Sequence, residues 1–202
     1  MLETAGIQFW GDQTEIVFCY GHGKGHCDGM CTGVIEAPKT VHLCEFKTLN
    51  DKGFKEMVKF GCESATPKYF SQCQIYMKFL NLTRTLFIVV NKNDDNIYME
   101  RIKYDKNKAD KLVRKAESII LSEGIPDKPF KPTWYECRFC DAATICHGDS
   151  EPEVNCRTCQ FIDIENEGKW SCSHYGLELS TEQQRMGDKC KSYQQAKIFI
   201  GG

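Results

Sequence analysis

A chain of 202 residues and 23.2 kDa has room for one sizeable core and a small appendage, and its 41% hydrophobic and 11% aromatic content excludes a disordered or fibrous class. No apolar run approaches the roughly 18 residues of a membrane span, and the start Met1 to Gly6 lacks the basic and long apolar regions of a secretory leader, so a cytoplasmic protein without a membrane partner is expected. The formal net charge of −2 decides nothing about nucleic acid, because a net value hides local fields.

In chain order, residues 1–14 are weakly patterned and read as a frayed segment or short helix. Residues 15–20, β-branched and aromatic, read as a strand. Glycines 21, 23 and 25 mark a turn, and residues 25–30 read as the next strand. Gly33 and Ala37-Pro38 then connect to a strand over residues 42–48. Alternation in that strand puts Glu45 and Lys47 on one face and sends Phe46 into the core. With Asp28 on the neighbouring strand, two carboxylates and an amine share a small site. Such oxygens suit Mg2+ or Mn2+, and Lys47 is placed to steady or help deprotonate an attacking water. Glu-x-Lys alone is a common pattern. It recurs at Glu167 and Lys169, where it reads as a solvated turn, and only the strand context separates the two.

A short helix over residues 52–61 follows. Thr66 reads as an N-cap with Pro67 at the first position of a helix running to about Leu80. Gln72 and Tyr76 share a face of it, although Tyr69, Cys73, Tyr76 and Leu80 read equally as a buried stripe. Residues 85–90 form a near-continuous apolar run, as in a central strand covered on both faces. A turn at residues 93–96 leads to a strand over 97–104, then to a helix over 106–123 with Ala109, Leu112, Val113, Ala116, Ile119 and Ile120 along one side, closed by Gly124 and Pro126. Lys103, Lys106, Lys108, Lys111, Arg114 and Lys115 form one basic cluster and Lys52, Lys55, Lys59 and Lys68 another. Either suits phosphates or plain solvation.

Asp28-Gly29, Glu45-Phe46-Lys47 and Gln72-x3-Tyr76, in this order and at these intervals, resemble the RecB-like branch of the PD-(D/E)XK nucleases. Residues 67–77, followed by the strand 85–91 and Lys92, are similar to phage-encoded exonucleases of that group. The resemblance covers residues 15 to 147. It implies an α/β, restriction-endonuclease-like fold with a mixed central sheet flanked by helices. It also implies Asp28, Glu45 and the Phe46 carbonyl as metal ligands, Lys47 as the catalytic lysine, and Gln72 and Tyr76 along the substrate groove. Relatives usually carry an earlier helix that adds an acidic or histidine group. Here 27 residues precede Asp28, Glu3 is the nearest acidic candidate, and His22 and His26 lie in or beside the strand. The chain either is shortened there or does without that group.

Thirteen cysteines in a chain without an export signal argue against a disulfide framework. Six are scattered through the first 73 residues and seven fall between Cys137 and Cys190. Cys137-x2-Cys140-x5-Cys146 has the spacing that closes the nuclease domain in iron-sulfur relatives, including CRISPR-associated RecB-like exonucleases and AddB-type subunits. That resemblance implies a [4Fe-4S] cluster with a fourth, upstream ligand, for which Cys19, Cys27, Cys31 and Cys44 are candidates. Zinc, with His147 or a distant ligand, and unmetallated thiols are the alternatives. Residues 148–154 read as a linker between a domain over 1–147 and a module over 155–202. In that module Cys156, Cys159, Cys172 and Cys190 form a credible tetrahedral Zn2+ set, with His174 as substitute. Its apolar content is too low for a core, so a metal is needed to hold it folded, with Phe161 and Trp170 packing over the site. The expected function is a metal-dependent DNA exonuclease acting in phage replication or recombination, with recombination or replication proteins as partners. The alternatives are a catalytically incomplete nuclease fold that binds nucleic acid or protein, and a zinc module that recruits a partner.

Overall fold

The computed structural model describes residues 4, 6–122, 127–128, 130–148, 150–186 and 189–199. Glu3, Gly124 and Pro126 lie outside them. The chain divides into two compact units, Met1–Cys19 with Gly23–Glu117, and Tyr20–His22 with Ser118–Gly202. The division therefore falls ahead of the linker expected at 148–154, and Cys137, Cys140 and Cys146 belong to the second unit.

The first unit is mixed α/β, its central sheet flanked by helices. Its strands are β1 (Gln8–Trp10), β2 (Thr14–Phe18), β3 (Gly23–Cys27), β4 (Gly29–Thr32), β5 (His42–Leu49), β6 (Arg84–Asn91) and β7 (Ile97–Lys103). Five of them form a sheet in the order β1-β4-β5-β6-β7, and β2 and β3 make a separate hairpin. Only β5 and β6 pair in parallel, which requires a crossover. It is made by two helices, α1 (Asp51–Ala65) and α2 (Pro67–Phe79).

The apolar run in β6 is buried on both faces. Phe87 and Val89 pack with Leu43, Phe54, Met57 and Met77 under the helices. Leu86 and Ile88 pack with Cys31, Val34 and Cys44 on the other side, partly covered by Ile7 and Phe9. Asn50 caps α1 by accepting a bond from the Gly53 N–H at 2.9 Å. Thr66 occupies the expected cap position of α2, but its hydroxyl donates back to the Cys62 carbonyl at 3.3 Å and caps nothing. Pro67 has no N–H in need of an acceptor, and the Tyr69 N–H donates to the Thr66 carbonyl at 2.9 Å instead.

Three sequence expectations change. Residues 8–10 form an edge strand paired with β4, where a frayed segment or helix was expected. The strand expected over 15–20 ends at Phe18, because Cys19 and Tyr20 take positive φ of 49° and 58°. The strand expected over 25–30 breaks at Asp28, where the chain leaves the hairpin for the main sheet. Gly29 carries that step at φ +150°, and a Cβ there would overlap the Phe9 ring, so glycine is required.

A further helix, α3 (Lys106–Ile120), follows β7 and buries Ala109 and Val113. In the second unit, α4 (Ala143–His147) precedes β8 (Ile162–Ile164), β9 (Trp170–Cys172), β10 (Leu177–Glu178) and α5 (Thr181–Arg185). The three strands form an antiparallel sheet in the order β10-β9-β8. Among the described residues, no helix is long and apolar enough to cross a membrane.

Candidate active site

β4 pairs with β5 from Gly29 opposite Cys44, which leaves Asp28 beside the next stretch of β5. Its Oδ2 accepts the Phe46 N–H at 2.7 Å, so the carboxylate takes the place a neighbouring strand would have filled. In a strand the N–H and C=O of one residue leave on the same side. The Phe46 carbonyl therefore also faces the Asp28 edge, beyond the start of β4.

Glu45 and Lys47 share the other side-chain face, as alternation requires, but the expected burial is reversed. Glu45 is 1% exposed and Phe46 is 38% exposed. The physical reason is that α1 and α2 cover the face of Glu45, whereas on the other face the sheet is partly covered by Ile7 and Phe9, and the Phe46 ring meets Phe9 with centroids 6.1 Å apart. Phe46 thus lies outside the main core.

The Lys47 amine donates to Glu45 Oε1, while Glu45 Oε2 is buried with no hydrogen-bond partner among the described residues. Burial, together with the charge of Asp28, holds the Glu45 carboxyl above its usual range although Lys47 pulls it back. Burial pulls the Lys47 amine down, and the Glu45 and Asp28 carboxylates more than offset this, so its pKa is raised and it is a cation at neutral pH. Lys47 also lies over the Tyr69 ring, 5.2 Å from its centroid.

From α2, Gln72 Nε2 donates to the Tyr76 hydroxyl at 3.2 Å. That hydroxyl sits so close to Gly25 of β3 that a Cβ there would overlap it. Tyr76 is 8% exposed and Cys73 is fully buried, so the buried-stripe reading holds for these residues, with Gln72 at the edge. Tyr69 and Gly25 were not singled out as site residues from the sequence. Tyr69 sits one turn ahead of Cys73 on the same helical face, a signal shared with ordinary core positions. The contact of Gly25 depends on strand placement and leaves no local trace.

Of the lysines suited to phosphates, Lys55, Lys106 and Lys108 are paired with Asp51, Asp110 and Glu63. Solvated pairing explains those three.

The candidate upstream ligands Cys19, Cys27, Cys31 and Cys44 are all buried in the first unit. Cys31 and Cys44 lie in one buried apolar cluster with Val34, Leu86 and Ile88. In the second unit Cys140 is exposed, Cys146 lies on α4, and the Cys137 sulfur is 3.7 Å from His147 Nε2. Among the described residues, no group of three or more His, Cys, Asp or Glu side chains is arranged to hold a metal ion as it stands. At residues 137–146 the close contact between candidate donors is the Cys137–His147 pair. The other thiols, Cys156, Cys159, Cys172 and Cys190, line one cavity with His174 and Phe161. Trp170, expected over them, instead packs under the Arg157 guanidinium at 5.3 Å.

No family model matches the chain, and no curated protein matches it. Among solved structures, the crystal structure of SSO0001 is similar over 70% of this chain, with 20% identity and a TM-score of 0.40, and the chain spans 58% of that structure's length. A likeness of this size carries no argument about fold or function.

Proposed function

We propose that the first unit is a metal-dependent DNA nuclease of the restriction-endonuclease-like class, hydrolysing phosphodiester bonds from DNA ends in the cytoplasm. The observation that carries the reading is the buried, partnerless Glu45 Oε2 on a strand whose open edge also presents Asp28 and the Phe46 carbonyl. An unpaired buried carboxylate oxygen is costly, and a divalent cation removes that cost. Asp28, Glu45 and the Phe46 carbonyl are oxygen donors of the kind Mg2+ and Mn2+ take, so the donor set fits. When bound, such an ion supplies a Lewis acid for a phosphoryl oxygen and an acidified water.

Lys47 steadies or helps deprotonate the attacking water and offsets charge developing on the phosphate. The Phe46 N–H fixes Asp28. A place for Gln72 and Tyr76 along the substrate groove rests on the family resemblance alone. Phage replication or recombination, and partners from those processes, belong to the proposal through the family resemblance alone. So does a cluster or zinc at Cys137, Cys140 and Cys146, and no step here depends on it.

The test is cleavage of end-labelled linear and circular DNA with Mg2+ or Mn2+ by wild type and Lys47→Ala. Degradation of the linear form that disappears in the variant supports the reading. A folded wild type that cleaves neither substrate but retains DNA would point to the catalytically incomplete binding module.

A further inference from the structure

We propose that Cys156, Cys159, Cys172 and Cys190 bind one Zn2+ in a closed tetrathiolate site that holds residues 155–199 folded, and that His174 is not a ligand. The site is independent of the nuclease reading.

The first observation is a shared cavity, in which the four thiols lie near one another but are not drawn to metal-binding distance as they stand. The four thiols come from three separate stretches of chain, the turn before β8, the end of β9 and the loop after α5, yet all line one cavity of about 230 Å3. Each stretch is set by a tight turn on a cysteine carbonyl. The Cys159 N–H donates to Cys156 O at 3.1 Å, the Gly176 N–H to Cys172 O at 2.8 Å, and the Tyr193 N–H to Cys190 O at 3.1 Å. Asn155 fixes the first turn by accepting from the Arg157 and Thr158 N–H groups at 2.9 and 3.2 Å.

The second observation is what the segment lacks. Among its described residues the only buried apolar side chain is Cys159, at 7% exposure, and its strands are two or three residues long. Hydrophobic burial and a sheet of that size do not hold such a segment. The cysteines are free thiols, so no disulfide does so either. Four sulfur donors in one pocket suit tetrahedral Zn2+ as they suit iron, and the Cys156-x2-Cys159 spacing is that of structural zinc sites.

His174 lines the same cavity but is occupied otherwise. Its ring lies between Phe161 and Tyr175, at centroid distances of 4.9 and 4.6 Å. It serves as part of the aromatic wall. Without metal, the Cys156 thiol donates to the Gln183 carbonyl at 3.4 Å. Binding exchanges that bond for a metal–thiolate bond: one Zn2+ enters, four S–H bonds break and four protons leave to solvent.

The experiment uses the full-length chain. Metal analysis is run on wild type, Cys172→Ser, His174→Ala and Cys140→Ser, with limited proteolysis of each. Cys172→Ser is expected to lose one zinc per chain and to expose residues 155–199 to protease, while His174→Ala and Cys140→Ser retain that zinc. Zinc X-ray absorption on Cys140→Ser, which isolates this site from residues 137–146, is expected to show four sulfurs at about 2.3 Å and no nitrogen. It does not depend on whether Cys172→Ser folds. A three-sulfur, one-nitrogen shell, loss of the zinc in His174→Ala, or a wild type without zinc would each overturn the assignment.

Discussion

The two units contain nearly equal numbers of cysteines and use them in opposite ways. All six in the first unit are buried, Cys27, Cys62 and Cys73 among Leu43, Met57, Met77 and Phe87 and Cys31 and Cys44 with Val34, Leu86 and Ile88, where they act as small hydrophobes. Burial raises the Cys73 thiol well above its ordinary range, which keeps it neutral and inert. Of the seven in the second unit only Cys159 is buried, and four surround a cavity. A cysteine count therefore says little about chemistry. The density of apolar side chains around each thiol separates filler from ligand.

The same substitution in each unit tests this contrast most strongly. Cys156→Ser is expected to unfold residues 155–199 as a block, read as new protease cleavage confined to them. Cys73→Ser places a hydroxyl in an apolar site and is expected to cost about 1–3 kcal/mol. It lowers the denaturation midpoint and leaves the metal content unchanged. Graded, equal losses at both positions would erase the distinction.

Within the first unit, Lys47→Ala is expected to lower cleavage on the order of 10²- to 10³-fold and also to lower the melting temperature at pH 7, because it leaves the buried Glu45 carboxylate without its ion-pair partner. A variant that cuts as well as wild type would remove Lys47 from the chemistry.

How much of this could be read in the sequence follows the same divide. The β6 run, the helix beginning at Pro67 and the Glu45/Lys47 alternation are local patterns, and the structure has them where they were expected. The exposure of Phe46 could not be read, because which face of a strand lies under the helices depends on the crossover between β5 and β6. The break at Asp28 was missed for a related reason. Gly25 to Met30 has no turn-forming pair stronger than Asp28-Gly29, and only the pairing of β3 with β2 and of β4 with β5 shows the chain changing sheets. In the second unit the cysteine spacing was legible, but the placement of His174 between two aromatic rings was not.

A smaller effect concerns Glu45 and pH. Its folded pKa is raised above the unfolded value, so its contribution to stability is fully present below the unfolded pKa, about 4.3. It is lost as pH rises through the folded value. Without divalent metal, Glu45→Gln should therefore melt above wild type at pH 7 and match it more closely at pH 4, while adding Mg2+ should stabilise wild type alone. A variant that melts lower at pH 7 would mean that the Lys47 ion pair outweighs the burial of the carboxylate.

The smallest effect returns to the comparison through helix caps. Asn50→Ala removes the acceptor for the Gly53 N–H at the start of a 15-residue helix that packs on the core of the first unit. It should lower global stability by about 1 kcal/mol. Ser180 makes a complete capping box with Gln183 at the start of the five-residue α5, yet that helix contributes little buried apolar surface. If metal rather than packing holds the segment, Ser180→Ala should leave the main unfolding transition unchanged. It should speed hydrogen exchange only at residues 181–185, since the cap then stabilises one turn and nothing packed behind it.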